Sequence, residues 1–501
     1  MELLRRGLQI IVFAPSRLAT EILTRYLKDA FDTAPGASDA IRGYRGGYLP
    51  GRRREIEKGL RDGDVRAVVA TSALELGIDI GALDVSVMAG YPGTIAATWQ
   101  RAGRAGRRTS DSAAILVASS APLDQYIVRH PAYFFERSPE HALVNPDNLH
   151  ILLDHVKCAA FELPFGAAER FGGEPLQQVL AVLEEEGFVH LAGEGERGRW
   201  HWTSESYPAD AVSLRSVSSD NFVVVDTSEG SGTRVIAETD FTSGPSMLHP
   251  KAIYSVEGAL YQVERLDFDN RKAFVTKVEC DYYTDAIRYD RVTVLDTFDA
   301  ADGGAGPLGP AGLAHGEVHV VSRVVGFKKI KFYTNENVGS GELDLPEQEM
   351  HTTAYWLAVP RAVMAALPFA RDDRRDGVVG LSFAMGQVAQ LLLMCDRHDI
   401  GISIGSGEGA VPATRTARAG ADAVDYDEPR VFVYDNYPGG IGFSEPLYRM
   451  HRELVAGTRE LIATCPCESG CPSCVGPLGQ VGPFAKRVAL AILDGVIPAG
   501  G

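Results

Sequence analysis

In the first 140 residues, short apolar runs alternate with segments whose apolar residues have helical spacing. This alternation constrains the fold more than any other feature of the sequence. The apolar runs occupy residues 9–14, 65–70, 85–89 and 113–118. Between the first two of them, the segment 18–30 has the spacing of an amphipathic helix. Strands that alternate with helices form βαβ units, in which the strands pair in parallel. We therefore predict a parallel-sheet lobe over residues 1–140.

Three further domains are predicted from changes of pattern after this lobe. Residues 141–208 contain two helical patterns and a hairpin, which is typical of a winged-helix-like domain; a helical linker with a hairpin is the alternative. Residues 209–348 contain many short β-branched runs broken by turn residues, which predicts a β-rich small barrel with a mobile loop at 301–314. Residues 349–501 return to mixed helix and strand. The predicted fold class is multidomain α/β.

Charge and hydropathy narrow the class of protein. The net charge of -17 argues against a uniformly basic binder, although a motor can hold nucleic acid in a local basic groove while its remaining surface is acidic. Leu381–Cys395 has the pattern of a buried helix, and no apolar run approaches the roughly 20 residues that a membrane span needs. We expect a cytoplasmic bacterial protein with no membrane partner.

Four cysteines fall within ten positions near the C-terminus and predict a metal centre. Their C-x-C-x₃-C-x₂-C spacing includes prolines and a glycine suited to tight turns. Four thiolates in tetrahedral geometry suit a structural Zn²⁺ ion, with an iron–sulfur cluster as the alternative. The predicted ligands are Cys465, Cys467, Cys471 and Cys474.

Three segments of the first lobe predict nucleotide chemistry, and they follow one another in the order 11–17, 70–81 and 100–108. In the last of them, Gln100, Arg104 and Arg107 lie near one another on a short helix with glycines between them. Guanidinium groups in such a position stabilise the charge that develops on a transferred γ-phosphate. An exposed basic helix that binds phosphate nonspecifically is the alternative.

These segments resemble motifs IV, V and VI of superfamily 2 helicases, and the resemblance covers roughly residues 8–120. It implies a RecA-like second lobe in which Arg104 and Arg107 act as arginine fingers and Gln100 faces the nucleotide. It also implies that Gly77 and Asp79 couple the nucleotide to the bound strand. The positions that match nucleic-acid contacts are Ser16, Arg17, Arg45 and Thr71.

The other half of an ATP site is not encoded in this sequence. It contains no Gly-x-x-x-x-Gly-Lys-[Ser/Thr] phosphate loop and no Asp-Glu-x-[Asp/His] motif, which hold the phosphates and Mg²⁺ in such motors. We therefore expect ATP and Mg²⁺ to bind only together with a first RecA-like lobe. The chain alone is expected to be inactive, as a truncation of a longer helicase or as a natural fragment that pairs with another chain.

Three features outside the lobe leave more than one interpretation. Lys328, Lys329 and Lys331 lie among aromatic residues, as in single-strand binding surfaces, but also as on a solvated strand face. Trp200 and Trp202 fit core packing better than a strand-separating wedge. The glycine-rich turn 434–443 fits a structural strand-to-helix turn better than a phosphate site.

The combination of the lobe, the winged-helix-like stretch, the β-rich insert, the Asp-x-x-Pro-Gly-Gly-x-Gly turn and the cysteine cluster resembles the mitomycin repair factor A family. This family includes bacterial and fungal relatives of the RecQ4-type helicases. The resemblance implies a monomeric 3′-to-5′ DNA translocase in DNA repair that acts on single-stranded or partly duplex DNA, with the cysteines as zinc ligands. The alternative is a non-catalytic, zinc-containing nucleic-acid-binding scaffold with a retired lobe. Intact Gln100, Arg104 and Arg107 favour the motor.

Overall fold

The computed structural model of the protein consists of a parallel-sheet lobe, a small helical domain and two further β-sheets with a helical layer. It describes residues 2–31, 37–76, 78, 80–81, 83–106, 111–140, 148–166, 169–171, 176–193, 195–212, 221–228, 232–301, 312–406, 409–411, 424–477 and 481–496. The predicted mobile loop 301–314 and the predicted site residues Gly77, Asp79 and Arg107 lie wholly or mostly outside these ranges.

The first lobe has the predicted parallel sheet, with strand order β2-β3-β1-β4-β5. Its elements are α1 (Glu2–Arg5), β1 (Ile10–Phe13), α2 (Arg17–Phe31), β2 (Ile41–Tyr44), α3 (Pro50–Asp62), β3 (Ala67–Ala70), β4 (Val85–Ala89), α4 (Ile95–Ala102), β5 (Ala113–Val117), α5 (Pro122–Arg129) and α6 (Pro131–Glu136). The central strands read as continuous apolar runs because helices cover both faces of the sheet. All four residues of β3 are buried, as this arrangement requires.

The second domain confirms the winged-helix pattern. It contains α7 (Leu149–Glu162), β6 (Phe165–Gly166), α8 (Leu176–Glu185), β7 (Val189–Ala192) and β8 (Arg199–Trp202), with sheet order β6-β8-β7. Leu176, Val179, Leu180 and Leu183 of α8 pack with Trp200 in one core. Trp202 stacks on Phe188 at 5.8 Å between ring centroids. Both tryptophans therefore pack in or against the core, in line with the favoured interpretation.

The strands predicted as one small barrel belong to two sheets. The first has the order β10-β9-β13-β12-β11 and buries Phe222, Tyr254 and Val275 on one face. Its elements are β9 (Asn221–Asp226), β10 (Arg234–Asp240), α9 (Gly244–Met247), β11 (Ile253–Val256), β12 (Ala259–Asp267) and β13 (Lys272–Val278).

The second sheet has seven strands and continues into the C-terminal region. Its order is β14-β15-β17-β20-β18-β19, and β16 also pairs with β15. The strands are β14 (Tyr282–Ala301), β15 (Gly312–Lys331), β16 (Asn337–Glu342), β17 (Gln348–Ala358), β18 (Ile400–Ser406), β19 (Gly409–Val411) and β20 (Arg430–Asp435). Because β15 pairs with β17 from Gly312↔Ala358 to Ser322↔Gln348, the boundary predicted between 348 and 349 falls inside this sheet.

This second sheet is the one that curls towards a barrel. The Ser403 hydroxyl in β18 donates to the Asp290 carbonyl in β14 at 3.1 Å, although three strands separate β14 from β18 in the sheet. Val318, Trp356 and Tyr434 are buried on its inner side. Closure on this side removes most of the exposed edge that an open sheet would have.

Helices cover the outer side of the curled sheet. They are α10 (Arg361–Ala366), α11 (Arg371–Leu393), α12 (Ser444–Arg449), α13 (His451–Thr464) and α14 (Ala485–Val496). The predicted helix 381–395 thus begins ten residues earlier, at Arg371. By length and composition alone α11 could cross a membrane, contrary to the expectation that no run approaches that length; 78% of its apolar window is buried inside the protein.

Candidate functional site

The four predicted cysteine ligands lie together after α13. Their Sγ atoms all lie within 4.8 Å of one another. The individual separations are 3.5 Å for Cys465–Cys471, 3.5 Å for Cys467–Cys474 and 3.8 Å for Cys471–Cys474. A tetrahedral centre with Zn–S bonds of about 2.3 Å has edges of about 3.8 Å, so one zinc ion fits between these thiols. The spacing leaves no room for a cluster of several iron atoms.

The surroundings of the cysteines hold this geometry. The Lys486 ammonium donates to the carbonyl oxygens of Cys465 and Cys467, both at 2.6 Å, and so brings a positive charge beside the thiolates. Gly470 has φ +122°, and a Cβ there would lie 2.5 Å from Val475. Only glycine fits this turn. Because Cys474 and Val475 are fully buried in the core of α11, α13 and α14, a metal here would stabilise the whole layer.

The segments 70–81 and 100–108 are joined through Glu75. The Arg104 guanidinium is buried and donates to the Glu75 carbonyl at 2.6 and 2.9 Å and to the Ile78 carbonyl at 2.7 Å. Arg101 forms an ion pair with the Glu75 carboxylate at 2.8 Å. Gln100, in contrast, is exposed on α4. In this structure Arg104, predicted as an arginine finger, is buried after α4 and links the two segments instead.

Ser16 and Thr71 lie at the same edge of the parallel sheet. Ser16 follows β1 and Thr71 follows β3, which are neighbouring parallel strands, so both lie at carboxyl ends. The Ser16 hydroxyl accepts from the Ala19 amide at 3.1 Å at the start of α2, and the Thr71 hydroxyl accepts from the Ala73 amide at 3.4 Å. Ligands of open parallel sheets bind at this edge. The structure thus places these two predicted contact residues at the same edge.

The two arginines predicted to contact DNA both form ion pairs with carboxylates of the protein. Arg45 is 1% exposed and forms an ion pair of 2.7 Å with Glu21, itself 3% exposed. Its guanidinium also donates to the Ser255 carbonyl at 2.9 Å. Arg17 pairs with Asp240 at 2.6 Å. Both arginines therefore join the lobe to the sheet β9–β13, and Arg45 is too deeply buried to meet a strand in this structure.

The three predicted lysines lie on or at the end of β15. Lys328 is opposite Asp285 of β14, and Lys329 lies over the ring of Tyr282 at 4.9 Å. Lys331 is 3.7 Å from Asp281. Each is only partly exposed and has an acidic or aromatic neighbour, so their contact with DNA stays a prediction.

The glycine-rich turn 434–443 is held by Asp435, which lies within it, and by Asn148 of the winged-helix domain, which the sequence did not indicate. The Asp435 carboxylate accepts from the amides of Ile441, Gly442 and Phe443 at 2.7, 2.9 and 3.2 Å. Burial raises the pKa of the Asp435 carboxyl. Asn148, at the start of α7, donates to the carbonyls of Pro438 and Gly440 at 3.0 and 2.7 Å. With its amides bound to Asp435, the turn is structural and fastens the winged-helix domain to the C-terminal layer.

We predict that Asn148→Ala lowers the free energy of unfolding by about 2–4 kcal/mol, because it removes a helix cap and the two hydrogen bonds that Asn148 donates to the turn, one of them buried. The Asn148 side chain also accepts from the amides of His150 and Ile151, which is the cap. Asn148→Ser keeps the cap and removes the two donated bonds, so it serves as the matched control. Urea unfolding should place it between the wild type and Asn148→Ala. A serine variant as stable as the wild type would show that the contact with the turn contributes nothing.

Comparisons with known proteins agree with this architecture. Residues 1–109 match the model of the helicase conserved C-terminal domain, and residues 144–217 match the winged helix domain of ATP-dependent helicase HRQ1. Residues 381–475, which include all four cysteines, match the MrfA Zn-binding domain. The parallel-sheet lobe, which carries the segments 11–17, 70–81 and 100–108, is therefore the C-terminal lobe of a superfamily 2 helicase.

Matches over nearly the whole chain show which superfamily 2 helicases it resembles. The chain is 45% identical over 493 residues to the uncharacterized ATP-dependent helicase YprA of Bacillus subtilis, covering 98% of this chain and 62% of that protein. The crystal structure of DUF1998 helicase MrfA bound to DNA matches with TM-score 0.69 and 44% identity, over 99% of this chain and 62% of that one. The structure of MrfA bound to DNA and AMPPNP matches with TM-score 0.64 and 43% identity, over 98% and 61%. Over nearly its whole length the chain is similar to the MrfA-like superfamily 2 helicases with a C-terminal zinc module. It spans about three fifths of the length of these relatives.

Proposed function

We propose that the chain supplies the second motor lobe and the DNA-guiding domains of an ATP-dependent 3′-to-5′ DNA helicase that acts in DNA repair. The observation that carries this proposal is the link through Arg104 between the nucleotide-side helix α4 and the segment after β3. Thr71, at the strand-contacting edge, begins that segment. MrfA, with which the chain aligns over nearly its whole length, has been crystallised with both DNA and a nucleotide analogue.

The chemistry assigned to this chain is electrostatic. Arg107, and Gln100 on the exposed side of α4, would face the phosphates of an ATP·Mg²⁺ held by a first RecA-like lobe. An arginine placed there stabilises the charge that develops on the γ-phosphate in the transition state. Arg104 keeps α4 and the segment after β3 moving together. Movement of α4 on hydrolysis would thus shift Thr71 relative to Ser16, and with it the DNA backbone.

The DNA half of the proposal predicts that the chain alone binds a fluorescently labelled single-stranded oligonucleotide. The affinity is expected to fall steeply with salt, because bound cations on the strand are released as phosphates are neutralised. Anisotropy titrations between 50 and 200 mM salt measure this, with about 0.7 logarithmic units of slope for each phosphate contact. No binding at the lowest salt, or binding that does not depend on salt, would contradict the proposal.

A further inference from the structure

Arginines near the strand-contacting edge differ in whether they are available to a ligand. Arg17 pairs with Asp240 and Arg45 with Glu21, so carboxylates of the protein neutralise both. Arg397 lies at the same edge but comes from the C-terminal domain, in the loop 395–399 after α11. It is exposed, and in the part of the chain that the structure describes it forms no ion pair.

The position of Arg397 is fixed against the first lobe. Its guanidinium donates to the Pro15 carbonyl at 3.2 Å, and Pro15 is bonded directly to Ser16. The same loop packs on Gly93, which follows β4 with φ +102°; a Cβ at Gly93 would lie 3.2 Å from the Asp396 Cα. Since β1 and β4 are neighbouring parallel strands, the loop lies over the carboxyl edge of the sheet, beside Ser16.

The loop itself is held by hydrogen bonds of its two aspartates. The Asp396 carboxylate accepts from the amide and from the ring nitrogen of His398, at 2.9 and 2.7 Å. The Asp399 carboxylate accepts from the Asp396 amide and from the Tyr437 hydroxyl, both at 2.9 Å. A loop fixed on both sides loses little further conformational entropy when it binds a ligand, which favours binding.

We propose that Arg397 is a DNA-backbone contact, by which the C-terminal domain extends the row of contacts that Ser16 and Thr71 form on the lobe. A guanidinium with one bond to a carbonyl retains free donors, and these suit a phosphodiester oxygen. The ligand chemistry is the backbone of a single strand, read without regard to base. The inference rests on the proposed function, because it adds a residue to the same DNA-binding surface.

Anisotropy titrations of the full chain with a labelled oligothymidine at several salt concentrations test the proposal. Arg397→Gln is expected to weaken binding about tenfold at low salt, as loss of one charge-assisted hydrogen bond implies. It should also reduce the slope of log affinity against log salt by about 0.7, the value for one phosphate on a single strand. Arg397→Lys should restore most of the slope. The matched control is Arg6→Gln, an exposed arginine that precedes β1 and so lies at the opposite edge of the sheet, which should change neither quantity.

The outcomes separate this inference from the function on which it rests. A wild-type chain that binds, together with an Arg397→Gln variant of equal affinity and slope, overturns the role of Arg397 alone. A variant that loses affinity at an unchanged slope also overturns it, because the loss would then come from weaker docking of the loop on Pro15. A wild-type chain that does not bind the oligonucleotide at all contradicts both.

Discussion

Cys474→Ser is expected to lose the bound zinc and to unfold much of the C-terminal domain. Binding of zinc to a four-cysteine centre contributes on the order of 10 kcal/mol to the folding of small domains that depend on it. Here the centre is continuous with the core formed by α11, α13 and α14, in which Cys474 is fully buried. Zinc content by elemental analysis should fall from about one ion per chain. The midpoint temperature of the first thermal transition should also fall, because the domain loses several kcal/mol of free energy of unfolding.

Cys280→Ser is the control for this experiment. Cys280 is half-buried and lies outside the metal centre, so its replacement should leave the zinc content unchanged. Chelation of the wild-type protein should reproduce the effect of Cys474→Ser, because both remove the same ion. A zinc-free variant with the wild-type thermal transition would contradict the structural role of the centre, and iron with visible absorbance would contradict the choice of metal.

Arg45→Ala is expected to cost about 3–5 kcal/mol, because it leaves the Glu21 carboxylate buried without its partner. The pair is almost wholly excluded from solvent, and the Tyr48 hydroxyl also donates to Glu21 at 2.7 Å. The variant should in addition loosen the contact between the lobe and the sheet β9–β13, since Arg45 donates to Ser255. Urea unfolding measures the loss of stability, and limited proteolysis should show earlier cleavage between the two units.

Two comparisons distinguish this effect from a general loss of arginine. Arg6 forms an exposed pair with Glu2 at 3.1 Å, so Arg6→Ala should cost no more than about 1 kcal/mol. The double variant Glu21→Gln, Arg45→Met leaves no charge unpaired. Its loss of stability should therefore be smaller than the sum of the losses measured for Glu21→Gln alone and Arg45→Met alone. Additive losses would show that Glu21 and Arg45 do not act as a pair.

The sequence predicted those features that depend on neighbouring residues. The parallel sheet followed from runs that are apolar along their whole length, such as β3, because only a strand buried on both faces needs that pattern. The metal centre followed from four cysteines within ten residues, whose turns bring the thiols together without help from distant parts of the chain. The winged helix followed from the single apolar face of α8.

Features that depend on distant partners were not predicted. The pairing of β15 with β17 merged two predicted domains, because strand pairing is decided by the whole set of available edges rather than by local pattern. Arg45 was expected on a surface, but its bond to Ser255 joins residues 210 positions apart. The bond between Asn148 and Gly440 spans 292 positions. No local signal marks such partners.

DNA-stimulated ATP hydrolysis tests the central claim most directly. The rate should be measured for this chain alone, and for the chain joined in one polypeptide to a RecA-like lobe that carries the phosphate loop and the acidic magnesium motif. We expect background turnover for the chain alone and DNA-stimulated turnover for the joined form, reduced about 10³-fold by Arg107→Ala through loss of transition-state charge stabilisation. Turnover by the chain alone, or a joined form that Arg107→Ala leaves equally active, would contradict the assignment. A joined form that binds DNA but never hydrolyses ATP would favour the scaffold.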